Sequence, residues 1–369
     1  MTKEENTGIN YCSMPMVKER EFGPNVNPNR ESLIRIFSKK WVNETVLQFY
    51  FFDRESDGEY VTLNDGTQEW RTWTTSEEEK NVVRKAFQIW KDIGIGLVFK
   101  EVNNREDADI RIGFMRGNGA WSYIGRDILD QDIGKDQRTM NFGWDLTKNE
   151  SEVDTAIHEI GHTLGFPHEH QNPNAGIVWD ENAVYESLAG YPNYWSKKKT
   201  YHNIIRKISP DTVQGSNWDP NSIMHYPFEA GLIKKPEHYS SGLFPEEGLS
   251  ERDKLWVKKF YPPVNGDAYE TLDLIKSQHL DLAPGEQRNF FIKPSETRHY
   301  TISTFGESDT VIVLFEQTDD DLLMIAGDDD SGEDFNAKLS VKLIKGKTYI
   351  LRIRLYYSRR AGETAIMYW

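Results

Sequence analysis

The sequence predicts two folded parts of different class: an α+β part, with a twisted mixed sheet and two main helices, and behind it an all-β sandwich. Three observations carry this. Helical periodicity occurs twice in the first two-thirds, over Thr75–Trp90 and around His158, with short strand-like runs before and between. After residue 266 the texture changes to short alternating strands separated by turn residues. Between the two lies Pro262-Pro263-Val264-Asn265-Gly266, which cannot continue a helix and reads as a boundary. A length of 369 residues also exceeds the usual size of one domain. The expected division is a lead-in over 1–40, an α+β domain over 41–263 and a sandwich over 264–369.

Taken in order, residues 1–40 contain Gly23-Pro24 and Asn27-Pro28 with mixed charges and no clear period, so they read as a lead-in draped over the next domain. Thr45–Phe52 is rich in aromatic and β-favouring residues and predicts the first strand. Asn64-Asp65-Gly66 marks a turn. In Thr75–Trp90, Thr75 with Glu78 or Ser76 with Glu79 offers a capping box, and Val83, Ala86, Phe87 and Trp90 form a core stripe. Strand candidates follow at 97–102, 110–114, 120–125 and 139–144, with Asp107-Ala108-Asp109 read as a turn. Ser151 is the expected cap of the second helix, whose apolar face is Val153, Ile157, Ile160 and Leu164. Residues 171–220 read as irregular. Leu249–Tyr261 predicts a closing helix capped by Ser250, and strands are expected at 290–292, 300–302, 311–315 and 349–355.

Composition excludes some functions. The balance of 44 basic and 59 acidic residues gives a net charge of −15, which repels phosphate backbones and argues against nucleic acid as a partner. The sequence has no apolar run long enough for a membrane-spanning helix and no secretory h-region at its start. Cys12 is the only cysteine, so no internal disulfide can form, which fits a reducing compartment. The expectation is a cytoplasmic or non-classically secreted monomer, unless a leader has been removed.

The chemistry concentrates in His158-Glu159-Ile160-Gly161-His162-Thr163-Leu164-Gly165-Phe166-Pro167-His168. On a helix, His158 and His162 lie about 40° apart around the axis, so both rings leave from one face. Glu159 can reach a metal-bound water without ligating the metal. Gly165 lets the chain turn back to deliver His168 as a third ligand. Three histidines leave one position of a zinc ion open, the pattern of a catalytic site. Such an ion lowers the pKa of its water to about 7, and Glu159 can take the proton as the water attacks a carbonyl.

This stretch, with Met224-His225-Tyr226 downstream, resembles the metzincin zinc peptidases, and Gly165–His170 with Ser222–Tyr226 resembles their astacin family. The resemblance implies a metzincin-like fold with a zinc cleft below an edge strand, zinc as cofactor and a polypeptide substrate. It further implies Tyr226 as a fifth zinc ligand that swings away to hydrogen-bond the oxyanion, against the plainer reading of a buried tyrosine with a satisfied hydroxyl. It also implies Glu169 as partner of a matured N-terminus, against that of a simple supporting or surface carboxylate. Two departures stand out. No internal disulfide is possible, and Gln171-Asn172-Pro173-Asn174 does not follow the family's usual continuation. The tail, around Ser308-Asp309-Thr310 and Asp328–Gly332, resembles bacterial pre-peptidase C-terminal domains.

Other residues carry a sharper and a plainer reading side by side. Met224 reads as an apolar floor under the imidazoles. His170 and His225 lack ligand spacing. Cys12 could occupy zinc's open position and hold the enzyme latent, although a small buried hydrophobe carries more weight. Asp328 and Asp330 could bind Ca2+, but a solvated turn is the commoner meaning of such a run. The leading expectation is a zinc endopeptidase with an accessory sandwich. The rivals are a glycan- or protein-binding module on a metallopeptidase scaffold and a zinc hydrolase of non-peptide amides.

Overall fold

A computed structural model describes residues 8–17, 39–41, 43, 45–63, 65–130, 133–208, 217–261, 269–283, 285–318, 322–356 and 361–369. Gly23-Pro24, Asn27-Pro28, Asn64 and the 262–266 boundary therefore lie outside the described residues. By internal contacts the chain forms two compact units. The first takes the described residues within Met1–Trp41, Leu47–Gly94 and Phe99–Val257, the second those within Val42–Val46, Ile95–Val98 and Lys258–Trp369.

The first unit is built on a five-stranded sheet. Its members are β1 (Val46–Phe51), β4 (Val98–Glu101), β5 (Ile110–Gly113), β6 (Trp121–Ser122) and β7 (Met140–Asn141), in the order β4-β1-β5-β7-β6. β1 and β7 run parallel to β5, and β6 runs antiparallel to β7 as an edge. The sheet is thus mixed, as expected. A hairpin of β2 (Gly58–Thr62) and β3 (Gln68–Thr72) brackets the predicted turn. Asp107-Ala108-Asp109 is likewise a turn, with Asp109 accepting from the Gln48 amide at 2.9 Å.

Two helices back this sheet. Helix α1 (Glu77–Asp92) starts at Ser76, whose hydroxyl accepts from the Glu79 amide. The box is not closed, because the Glu79 carboxylate accepts from the Thr75 hydroxyl, Arg116 and the Leu146 amide. Its stripe Val83, Ala86, Phe87 and Trp90 is buried as predicted. Helix α2 (Glu152–Thr163) packs against α1, and Trp90 Nε1 donates to the Ile157 carbonyl at 3.0 Å. Ser151 stands at the N-cap of α2 but makes no cap bond; its hydroxyl donates to Asn149 Oδ1 instead. The region 171–220 also departs from expectation. It contains β8 (Val178–Trp179) and helix α3 (Glu181–Ala189), capped by Asp180 and anchored by buried Val184 and Leu188. An i, i+4 pair in a polar run is too short a pattern to announce a helix. β9 (Ile233–Lys235) pairs with β8. The closing helix α4 (Glu251–Phe260) starts at Ser250, whose hydroxyl accepts from the Asp253 amide. Val257 is its buried residue, whereas Leu255 faces solvent.

The second unit is a sandwich of two sheets. One contains β10 (Glu270–Thr271), β12 (Gln287–Ile292), β14 (Thr310–Gln317), β15 (Leu322–Asp328) and β17 (Thr348–Leu355), ordered β10-β12-β17-β14-β15. The other contains β11 (Gln278–Leu282), β13 (Arg298–Phe305), β16 (Lys338–Leu343) and β18 (Gly362–Tyr368), ordered β11-β18-β13-β16. Inward residues such as Phe290, Ile302, Ile312, Leu351 and Ile366 make one core. Among the described residues no helix is long and apolar enough to cross a membrane.

Candidate metal centre

Helix α2 ends in a tight reversal that aims the third histidine. The Phe166 amide donates to the Gly161 carbonyl at 3.0 Å and the Gly165 amide to the His162 carbonyl at 2.8 Å, the two bonds of a Schellman motif. Gly165 has φ +96°, which glycine adopts without strain. Gly161 has a separate reason: a Cβ there would collide with Met224 Sδ, so the helix lies directly on the 222–226 turn.

Three imidazoles converge from this scaffold. His158 Nδ1 lies 2.7 Å from the Ile223 carbonyl and His162 Nδ1 2.7 Å from the Phe166 carbonyl. A carbonyl only accepts, so each Nδ1 carries the hydrogen and each Nε2 keeps its lone pair. His162 Nε2 stands 3.1 Å from His168 Nε2 and 3.5 Å from Cys12 Sγ. Donor atoms of Cys12, His158, His162 and His168 all lie within 4.8 Å of one another, and all four residues are buried. Tetrahedral zinc–nitrogen bonds of 2.0–2.1 Å put neighbouring donors about 3.4 Å apart, so the spacing suits such an ion. Orphaned polar atoms agree. Buried His158 Nε2 and both Glu159 oxygens have no hydrogen-bond partner.

Burial sets the protonation of these groups. It pushes His158 down to about 4 and His162 and His168 well below their ordinary value, with neighbouring imidazoles adding to the effect on the latter two. The rings are therefore neutral and available as donors. Burial also pushes the Glu159 carboxyl up to about 8, against a smaller lowering by Cys12. Cys12 and Tyr226 are both raised well above their ordinary values by burial, with the charge on Glu159 adding to each.

Tyr226 and Cys12 meet at the same point. Tyr226 Oη donates to the Cys12 carbonyl at 2.6 Å and lies 2.5 Å from His168 Nε2. A cleft of about 320 Å³ opens here, with Cys12, His158, Glu159 and Tyr226 in its wall. Glu169 lies outside that wall. Its Oε1 accepts from the Asp219 amide and from Asn172 Nδ2, while its own amide donates to the Met224 carbonyl, tying the third histidine to the 222–226 turn. His170 Nε2 pairs with the Asn203 carbonyl and His225 Nδ1 with the Tyr226 carbonyl, and neither joins the donor group. Asp328 and Asp330 lie in the sandwich. The Asp328 carboxylate accepts from the Ser331 amide and hydroxyl and from the Lys338 amide, the pattern of a turn.

Sequence reading missed Asp253. From α4 its carboxylate accepts from Ser222 Oγ at 2.6 Å, the Ile223 amide at 2.8 Å and the Ser250 amide at 3.0 Å. It thereby fixes the turn whose Ile223 carbonyl orients His158. A carboxylate 30 residues from the turn leaves no local pattern to find.

Known proteins resemble this chain over the same region. The astacin family of peptidases matches residues 69–235. Zinc metalloproteinase nas-26 of Caenorhabditis elegans is 30% identical over 168 residues, covering 44% of this chain and 36% of the relative. Blastula protease 10 of Paracentrotus lividus is 30% identical over 157 residues, covering 41% of this chain and 23% of the relative. The chain thus spans about a third or less of the length of these two curated relatives. The solved structure of myroilysin superposes with a TM-score of 0.51 at 32% identity, covering 62% of this chain and 97% of that one. With nearly all of that relative covered, and the family match spanning the histidine helix and the 222–226 turn, the chain belongs to the astacin family.

Proposed function

We propose that the chain is a zinc-dependent endopeptidase in which His158, His162 and His168 hold the ion and Glu159 is the general base. The observation that carries the reading is the convergence of three neutral imidazole donors next to the buried Glu159 carboxylate, with His158 and Glu159 in the wall of one cleft. A bound zinc ion supplies Lewis acidity there. Glu159, as its carboxylate, takes the proton of the attacking water on an oxygen and passes it to the leaving amine. Tyr226 Oη donates to the oxyanion that develops on the substrate carbonyl. In this reading residues 41–263 are the catalytic domain and 264–369 an accessory sandwich for a surface glycan or protein.

Cys12 acts as a latency ligand in the same proposal. Its sulfur stands among the histidine donors and its carbonyl engages Tyr226 Oη, so the lead-in occupies the groups a substrate needs. Calcium at Asp328 and Asp330 is left aside, because Asp328 already spends its oxygens on its own turn.

The test is cleavage of casein by zinc-loaded full-length protein beside Glu159→Ala and Cys12→Ala. The expected ranking is Cys12→Ala above wild type, and wild type above an inert Glu159→Ala. Equal activity of Glu159→Ala and wild type removes Glu159 as base. Equal activity of Cys12→Ala and wild type removes latency. Failure of every form to cut casein or any other unstructured polypeptide removes the peptidase reading.

A further inference from the structure

The stretch Ile9–Ser13 is held in the cleft as a peptide would be. Asn193 clasps its backbone, with Oδ1 accepting from the Tyr11 amide at 3.0 Å and Nδ2 donating to the Ile9 carbonyl at 2.8 Å. Further on, the Ser13 amide donates to the Ala120 carbonyl at 2.9 Å, immediately before edge strand β6. Between these anchors the Cys12 carbonyl accepts from Tyr226 Oη at 2.6 Å. Main-chain bonds to a sheet edge, with side chains dropped into pockets, are how extended peptides are recognised.

The side chain next to Cys12 fills such a pocket. Tyr11 is only 6% exposed. Its ring lies 5.2 Å from that of Tyr226, 5.9 Å from Phe228 and 6.2 Å from Trp195, all within the range of favourable ring contacts. Two of these walls are fixed without help from the lead-in. The Phe228 amide and carbonyl both pair with Leu243, at 2.7 and 2.8 Å, and the Trp195 amide donates to the Leu188 carbonyl at 2.7 Å. The backbone that carries these two walls is therefore held by the folded unit and not by the lead-in.

We infer that the pocket filled by Tyr11 is a substrate subsite, and that it takes an aromatic side chain adjacent to the residue held at Tyr226. The inference rests on the peptidase reading for the identity of the ligand as substrate, but the pocket can be tested without cleavage. A ring buried among three aromatic walls is selected over a methyl group by a factor of about 10 to 200. Tyr11 fills the pocket from within the chain, so the preference is expressed only when the lead-in has moved away.

The test uses the full-length chain as Tyr11→Ala and Tyr11→Phe, each titrated with N-acetyl-phenylalanine amide and N-acetyl-alanine amide under NMR. Tyr11→Ala should bind the phenylalanine probe at least about tenfold more tightly than the alanine probe, whereas Tyr11→Phe, still plugged, should bind neither. Equal affinity for the two probes, no binding by Tyr11→Ala, or equally tight binding by Tyr11→Phe overturns the inference. Should Tyr11→Ala fail to fold, cut sites made in casein by the Cys12→Ala chain decide. An aromatic residue at one fixed position beside the cuts supports the subsite, and absence of cutting or of enrichment counts against it. Probe binding without any cleavage would leave the subsite standing and sink the peptidase reading. Cleavage without probe binding or aromatic preference would do the reverse.

Discussion

The two units differ in where side chains able to hold a metal converge: Cys12, His158, His162 and His168 meet in the interior of the first, His279, Asp281 and Glu363 at the surface of the second. In the sandwich the buried hydroxyls close on one another: Thr304 Oγ1 pairs with Thr310 Oγ1 at 2.6 Å, and the Ala337 amide donates to Thr304 at 2.8 Å. Its buried Arg352 donates to the Asn43 carbonyl and lies 4.2 Å over the Phe315 ring. In the first unit, buried His158 and Glu159 leave polar atoms unpartnered in the wall of one cleft. Burying a polar atom without a partner costs about 1–3 kcal/mol. The sandwich keeps orphaned atoms too, Gln287 Oε1 and Asn336 Oδ1 among them, so what separates a site from a scaffold here is the convergence of four buried donor side chains within 4.8 Å.

The largest effect expected from this contrast is on metal removal. Anything bound only by the folded state stabilises it, by about 4 kcal/mol at a thousandfold excess over Kd. Calorimetry with and without a chelator should therefore lower the transition of the first unit and leave that of the sandwich in place. His162→Ala should abolish the chelator effect. If both transitions move together, or neither moves, the contrast is wrong.

A pair of buried tyrosines sharpens the comparison at smaller scale. Tyr226→Phe removes a donor aimed at the cleft and should cost about 10²–10³ in kcat, beside about 1 kcal/mol of stability for the lost bond to the Cys12 carbonyl. Tyr349, buried in the sandwich, instead accepts from the Ile344 amide at 3.0 Å. Tyr349→Phe should cost about 1 kcal/mol of stability and leave kcat alone. Urea titration and steady-state cleavage on the same two variants read both effects. A loss of kcat in Tyr349→Phe equal to that in Tyr226→Phe would erase the distinction.

How much of this was legible depended on sequence distance. The three histidines and Glu159 fall within eleven residues, and helical geometry plus one glycine turn dictates their convergence. Helix α1, strand β1 and the sandwich were legible for the same reason, because periodicity is local. Tyr226 and Cys12 were found by type, Tyr226 through a resemblance and Cys12 through its chemistry. Their meeting at His168 and His162 spans the whole unit, and no local pattern encodes it. Helix α3 escaped because its buried face is only Val184 and Leu188. Asn193 and Asp253 escaped because each acts on a segment far from it in sequence, and asparagine or aspartate in a polar run signals a turn just as readily.

Asp253 gives the smallest and most specific prediction. Its surroundings strip the carboxylate of water, and this desolvation outweighs its three accepted bonds, so its pKa rises above the ordinary 3.8. The folded state then binds the proton more tightly than the unfolded state does. Stability from this group is fully present below 3.8 and is lost as pH climbs through the raised folded value. Asp253→Asn is nearly isosteric and has no such loss. Its amide oxygen can accept from the Ile223 and Ser250 amides, and its NH2 can donate to Ser222 Oγ, which carries two lone pairs. Urea titrations across acidic to neutral pH should show the variant gaining on wild type as pH rises, then running parallel to it. Because the variant keeps the 222–226 turn fixed, His158 should stay oriented and zinc affinity should hold. A variant that tracks wild type at every pH would mean that this carboxylate is not desolvated. A loss of zinc affinity at constant stability would mean that its charge, rather than its hydrogen bonds, positions the turn beneath the histidines.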